Sequence, residues 1–186
     1  MRKNSVIAFF LLLISGLAAA QSGNVTDVIL KSYSARVYIE KPVTDSEIDM
    51  IVKSGLKASS ANNGQPWMFT VVKNDSLMKN ILPAANTGNI LIVVSGPSAV
   101  KPGMDNSFDC GLATQNMYLA AQSIGLGSRI YGSPAKNINS RMKQDLGIPE
   151  NFSAIVVLRV GNVDKSVDAT SSASPRKNPA ELVVYK

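Results

Sequence analysis

Residues 90–94 read Ile-Leu-Ile-Val-Val, with no polar residue among them. Successive side chains of a strand point to opposite faces, so an unbroken apolar run puts apolar side chains on both. Such a strand has to be covered from two sides, and the run is read as the centre of a sheet with helices packed on each face. The chain supplies those layers. Thr44 and Glu47 form a capping box that opens a helix ending near Ala58, with Ile48, Ile51, Val52 and Leu56 at helical spacing on one buried face. Residues 105–124 carry the longest helical pattern. Its apolar positions are Phe108, Leu112, Met117, Leu119 and Ala120, with Gly111, Ala113 and Ala121 small enough for another helix to approach closely, in a core or at a subunit interface, and Gly125 as its stop. Met117 and Phe108 are read as core. Shorter helices are expected over residues 26–31, 75–82 and 137–146, and strands over 68–72, 128–131 and 154–160. Residues 163–174 read as an extended arm leading to the β-prone apolar stretch 182–185. The fold class is α+β, in a single domain over residues 21–186.

The first twenty residues stand apart. Arg2 and Lys3 precede an apolar run over 6–17 that ends in three alanines, the pattern of a secretory signal peptide cleaved before Gln21. The run is short for a membrane span, so stable insertion is not expected and the mature chain is placed outside the cytoplasm, in the periplasm. Loss of Arg2 and Lys3 lowers the formal net charge from the +6 of the full sequence to +4. That excess is small and scattered. It does not form the aromatic-interleaved basic stripe of a nucleic-acid binder, and it suits a phosphate-bearing small ligand.

Composition narrows the chemistry further. With no histidine and Cys110 as the only cysteine, an ordinary zinc site, a Cys-His or Ser-His nucleophile pair and an internal disulfide are all excluded. No side chain is assigned a catalytic role and no metal is expected, so any chemistry comes from a cofactor. The stretch best suited to hold one is the polar loop 59–67, Ser-Ser-Ala-Asn-Asn-Gly-Gln-Pro-Trp, which runs into the strand at Met68. Its residues favour turns, Pro66 restricts Gln65 to extended backbone, and Trp67 anchors the exit in the core. Asn86 or Asn89, in a compact polar stretch, could reach the edge of a ligand bound there.

Within that loop Ser60, Asn63, Gln65, Pro66 and Trp67 reproduce in register the Pro-Ser-x-x-Asn-x-Gln-Pro-Trp signature of the nitroreductase family, with Ser59 in the proline's place. The sequence resembles that family at three further points. Ser34, Arg36 and Pro42-Val43 match its opening segment, where Ser32 and Tyr33 replace residues that are commonly basic. Asp109, Gly111, Gln115-Asn116 and 119–121 match its central helix, and 125–128 match the Gly-Leu-Gly-Ser that follows. The resemblance implies a mixed sheet flanked by helices, FMN as cofactor, and a homodimer with an exchanged C-terminal strand. It implies flavin contacts from Ser60, Asn63 and Gln65 in one subunit and from Ser32, Tyr33, Ser34 and Arg36 in the other. It further implies a backbone N–H of Tyr131 or Gly132 near the flavin N5, and Arg176, with Lys177 in reserve, on the phosphate. The expected activity is reduction of a nitroaromatic, quinone or similar acceptor, with NAD(P)H or a partner reductase as donor. Two alternatives stand beside it: a non-catalytic flavin-binding or electron-transfer protein, and a relative that has lost FMN through the change at Ser32 and Tyr33.

Overall fold

The structure, a computed structural model, describes residues 24–99, 106–164, 166 and 176–186. The expected signal peptide and most of the extended arm lie outside them. Four strands, β1 (Met68–Val72), β2 (Ile90–Pro97), β3 (Gly127–Tyr131) and β4 (Phe152–Gly161), form one sheet in the order β1-β2-β4-β3, each pair antiparallel. A single parallel bridge, Ser34 to Ser128, lays the segment after the first helix against the β3 edge.

β2 is central and every residue from Ile90 to Gly96 is buried. Ile90, Ile92 and Val94 face one core, with Leu158 and Val160 of β4, helix α2 (Asp45–Leu56) and helix α4 (Asn106–Ser123). Leu91 and Val93 face a second core, closed by α3 (Asp75–Ile81) and by α5 (Pro134–Asn137) with the π-helical turn Ile138–Met142 that continues it. Each large aliphatic side chain so enclosed contributes about 1.5–3 kcal/mol, which fixes the strand between two helical layers.

α2 starts as its sequence dictates. Thr44 Oγ1 accepts from the Glu47 N–H at 3.3 Å and Glu47 Oε2 accepts from the Thr44 N–H at 2.7 Å. Its buried face differs at one position, because Leu56 is 51% exposed while Gly55 is buried. A Cβ at Gly55 would lie 2.6 Å from Met117 Cγ, so α2 and α4 approach too closely for a side chain there and the helix turns Leu56 outward. In α4 the buried residues are Asp109, Cys110, Ala113, Thr114, Met117, Tyr118 and Ala121. Phe108, read as core from the sequence, is 63% exposed, because the 3.6-residue period places it with Gly111 and Gln115 on the outward side. α4 stops at Gly125, whose φ of 86° is the left-handed conformation that glycine adopts without strain. The helix expected from residue 137 begins earlier, at Pro134, a residue suited to a first helical turn.

α1 (Val25–Lys31) has no buried residue, and Val25 and Leu30 are more than 70% exposed. The C-terminal stretch is likewise outward. Pro179–Glu181 forms a 3₁₀ turn, and Leu182, Val183, Val184 and Tyr185 follow it as exposed irregular chain rather than as a strand.

Candidate cofactor site

The loop between α2 and β1 is folded tightly on itself. Ala61–Asn63 makes one 3₁₀ turn, and Asn62, Asn63 and Gln65 have φ of 52°, 53° and 44°. The extended backbone expected for Gln65 ahead of Pro66 is therefore absent. Side-chain residues in the left-handed region cost on the order of 1–3 kcal/mol each and persist only when neighbouring bonds impose them. Those bonds are present. Ser60 Oγ accepts from the Gln65 N–H at 3.0 Å, Gln65 Nε2 donates to Asn63 Oδ1 at 3.2 Å, and the Gly64 N–H donates to Ala61 O at 2.9 Å. From outside the loop, the buried Asp109 carboxylate accepts from the Ala61 N–H with both oxygens, at 3.3 and 3.2 Å. Asp109 and Asn106 also line, with Ala61, Gly64 and Pro66, a cavity of about 220 Å³ behind the loop. Trp67 is buried as expected and stacks parallel to Phe69, ring centroids 6.4 Å apart. Asn63 and Gln65 are exposed and Ser60 is half-buried, so the three predicted residues are gathered on one outward loop.

The second predicted group sits at the other end of α4. Ser32 closes α1, its Oγ donating to Ile29 O at 2.8 Å. The next residue is gripped by Gln122: the Tyr33 N–H donates to Gln122 Oε1 at 3.1 Å, and Gln122 Nε2 donates to Tyr33 O at 2.8 Å and to Ser128 Oγ at 3.0 Å. The Ala35 N–H donates to Ser128 O at 3.1 Å, which buries Ala35 and turns Ser34 and Arg36 outward. Between the Asp109 and Gln122 anchors lies a stretch of α4 about 20 Å long at the helical rise per residue. Within one chain the loop residues and the 32–36 segment therefore do not meet.

Tyr131 ends β3, with the Arg129 guanidinium 4.9 Å from its ring centroid. Gly132 is exposed, and a Cβ there would meet nothing within 4 Å, which leaves open space in front of this backbone. Arg176 and Lys177 are exposed on the C-terminal stretch, just ahead of the 3₁₀ turn. The side-chain oxygens of both asparagines considered for a ligand edge are taken. Asn89 Oδ1 accepts from Arg159 Nε at 2.7 Å and Asn86 Oδ1 from Arg159 Nη2 at 2.6 Å, and the buried Arg159 guanidinium lies 3.8 Å from the Tyr38 ring centroid.

The donor set suits a polar heterocycle carrying a phosphate. It comprises hydroxyls, carboxamides, open backbone beside a glycine and outward guanidinium groups. Among the described residues there is no cluster of three metal-ligating side chains, and none of the helices is long and apolar enough to cross a membrane. The Cys110 thiol is pushed up to about 12 by burial and, second, by the Asp109 charge, so it remains protonated and inert at neutral pH. Sequence reasoning missed Gln122 and Arg159 altogether. The one available signal for Gln122 was a lone amide among the apolar and small residues just before the Gly-Leu-Gly-Ser turn.

Comparison with known proteins agrees with this architecture. The profile described as Nitroreductase family matches residues 29–95 and 97–162. A protein of Archaeoglobus fulgidus assigned to the NADH dehydrogenase/NAD(P)H nitroreductases is 34% identical over 158 residues, covering 80% of this chain and 90% of that one. The NADPH-flavin oxidoreductase of Vibrio harveyi is 29% identical over 185 residues, covering 88% and 73% respectively. Among solved structures, one from Desulfovibrio desulfuricans, assigned as a nitroreductase and holding FMN, superposes with a TM-score of 0.72 at 27% identity, covering 87% of this chain and 96% of that one.

Proposed function

This chain belongs to the nitroreductase family, and on that premise we propose that it is an FMN-dependent oxidoreductase. It works as a homodimer that takes electrons from NAD(P)H or a partner reductase and delivers them to a nitroaromatic, quinone or similar acceptor. The observation that carries this reading is the separation of the two half-sites by about 20 Å of α4. A second copy bringing its 32–36 segment to the first copy's 60–65 loop completes the donor set twice over. The apolar residues exposed on α1 and at 182–185 supply a surface for that association, and the terminal stretch can add to the partner's sheet. FMN, when bound, supplies the electron-transfer chemistry at its N5.

The chain's own residues bind and orient. Ser60, Asn63 and Gln65 offer neutral hydrogen bonds to the ring or ribityl chain, and the open space beside Gly132 admits a ring whose nitrogen takes a backbone N–H of Tyr131 or Gly132. Arg36 is the fixed cation that favours negative charge on the ring, and Arg176 with Lys177 neutralises the phosphate. The Ser32 hydroxyl is already committed to Ile29 O, which favours weak phosphate binding and keeps the FMN-free reading in contention. Residues 1–20 act as an export signal, which places the enzyme in the periplasm and makes a partner reductase the more accessible donor there.

Absorbance of the purified protein, before and after adding FMN and removing the excess by gel filtration, decides the matter. We expect flavin bands that fade on the column and return with added FMN. A colourless protein that takes up no FMN refutes the reading.

A further inference from the structure

We propose that Gln122 is a positioning residue that sets the affinity of this site for the flavin's phosphate by locking the backbone of Tyr33. The inference rests on the FMN reading above. Residues 32–36 have no ladder of their own; besides the bonds of Ser32 to Ile29 O, the Ser34 to Ser128 bridge and the Ala35 N–H bond, a side-chain amide grips them at Tyr33. That amide takes both main-chain groups of Tyr33, accepting from its N–H at 3.1 Å and donating to its carbonyl at 2.8 Å, as a neighbouring strand would. Its orientation is itself locked. Ser128 Oγ donates to Tyr118 O at 2.9 Å, so toward Gln122 it offers only a lone pair, which selects Nε2 at 3.0 Å and turns Oε1 to the Tyr33 N–H. Ser128 is fully buried, so the lock is anchored in the core.

Gln122 thus acts through its neighbours, fixing the backbone at Tyr33 between Ser32 and the outward-facing Ser34 and Arg36. With the Ser32 hydroxyl committed to Ile29 O, phosphate affinity in this segment depends on how well its other neutral donors are aimed, because a neutral hydrogen bond fades steeply as its angle falls. A site held by Arg and Lys would tolerate a looser backbone.

The test compares FMN with riboflavin, which lacks the phosphate, by quenching of flavin fluorescence on the full-length dimer, with melting curves recorded for each variant. Gln122→Met removes the amide at nearly constant volume, and Ser128→Ala keeps the amide while removing its orientation lock together with the bond to Tyr118 O. We expect Gln122→Met to weaken FMN about tenfold, the equivalent of one to two neutral hydrogen bonds, and riboflavin less than about threefold; Ser128→Ala should move the same ratio in the same direction by less. If Gln122→Met does not give a cooperative melt, the ratio in Ser128→Ala decides. Parallel weakening of both flavins, or an unchanged ratio in a folded variant, overturns the positioning role while leaving FMN binding intact. Failure of the wild type to bind FMN overturns the site reading itself, and this inference with it.

Discussion

Replacing Asp109 by asparagine should loosen the 61–65 loop without melting the domain. The carboxylate is buried and accepts one N–H, that of Ala61, across two long contacts of 3.3 and 3.2 Å. A hydrogen bond to a charged acceptor contributes about 1.5–3 kcal/mol and one to a neutral acceptor about 0.5–1.5 kcal/mol, so Asp109→Asn removes roughly 1–1.5 kcal/mol from this side-chain tether between α4 and the loop. That corresponds to about a tenfold rise in the population of opened loop. Global stability need not fall with it, because the substitution also removes the cost of burying a charge. Amide hydrogen exchange at residues 61–65, compared with β2 and β4, separates the two effects. It is also more sensitive than flavin affinity, since a loop closed most of the time loses little binding when its small open fraction rises tenfold. Unchanged exchange in the loop, or equal acceleration in the sheet, would refute the idea that Asp109 holds the loop in its left-handed conformation.

Because the Cys110 thiol is raised from 9.0 to about 12 in the folded state, its contribution to stability is complete below pH 9 and is lost as pH rises from 9 toward 12, where the unfolded chain ionises first. Cys110→Ala should flatten the alkaline decline in denaturation midpoint between pH 8 and pH 11; an identical decline in the variant sinks the assignment. Asn89→Ala strips a charge-assisted acceptor from buried Arg159 and should cost about 3 kcal/mol by urea denaturation, and much less in an Arg159→Met background. Additive costs would show that the pair is not coupled. Deleting residues 182–186 should convert the proposed dimer to monomer or aggregate by light scattering, and a well-behaved dimer after deletion would remove the strand-exchange argument.

The layered architecture was legible because β2 carries its instruction locally: no polar residue interrupts Ile90–Val94, and the two cores on its faces follow. Thr44 with Glu47 marked the start of α2, and Gly125 the end of α4, for equally local reasons. The departures arise where tertiary contact overrides a local rule. Leu56 yields its buried place to Gly55 because of Met117 across the helix interface, and Phe108 faces outward because the period of α4 is set by Asp109 and Cys110. Gln65 is left-handed despite the proline after it, since Ser60 and Asn63 hold it there. The loop's candidate residues were legible as a cluster. The link of Tyr33 to Gln122 and that of the loop to Asp109 were not, since nothing local relates residue 33 to 122 or 61 to 109.

The backbone at Asn62, Asn63 and Gln65 has a consequence for how this protein tolerates change. At almost every surface position glycine is the costlier replacement and alanine the safe one, but at φ near 50° that order reverses, because the Cβ is what strains the chain. Asn62 contributes no side-chain bond to the loop's internal set, whereas Asn63 and Gln65 bond each other. Drift toward glycine is therefore open at 62 on conformational grounds alone and opposed at 63 and 65 by the loss of that bond. β-Branched residues are closed to all three. A library randomised across the loop and sorted only for folding would recover this pattern without any flavin present, and the residues enriched beyond it under selection for cofactor binding would identify the side chains that the ligand itself requires.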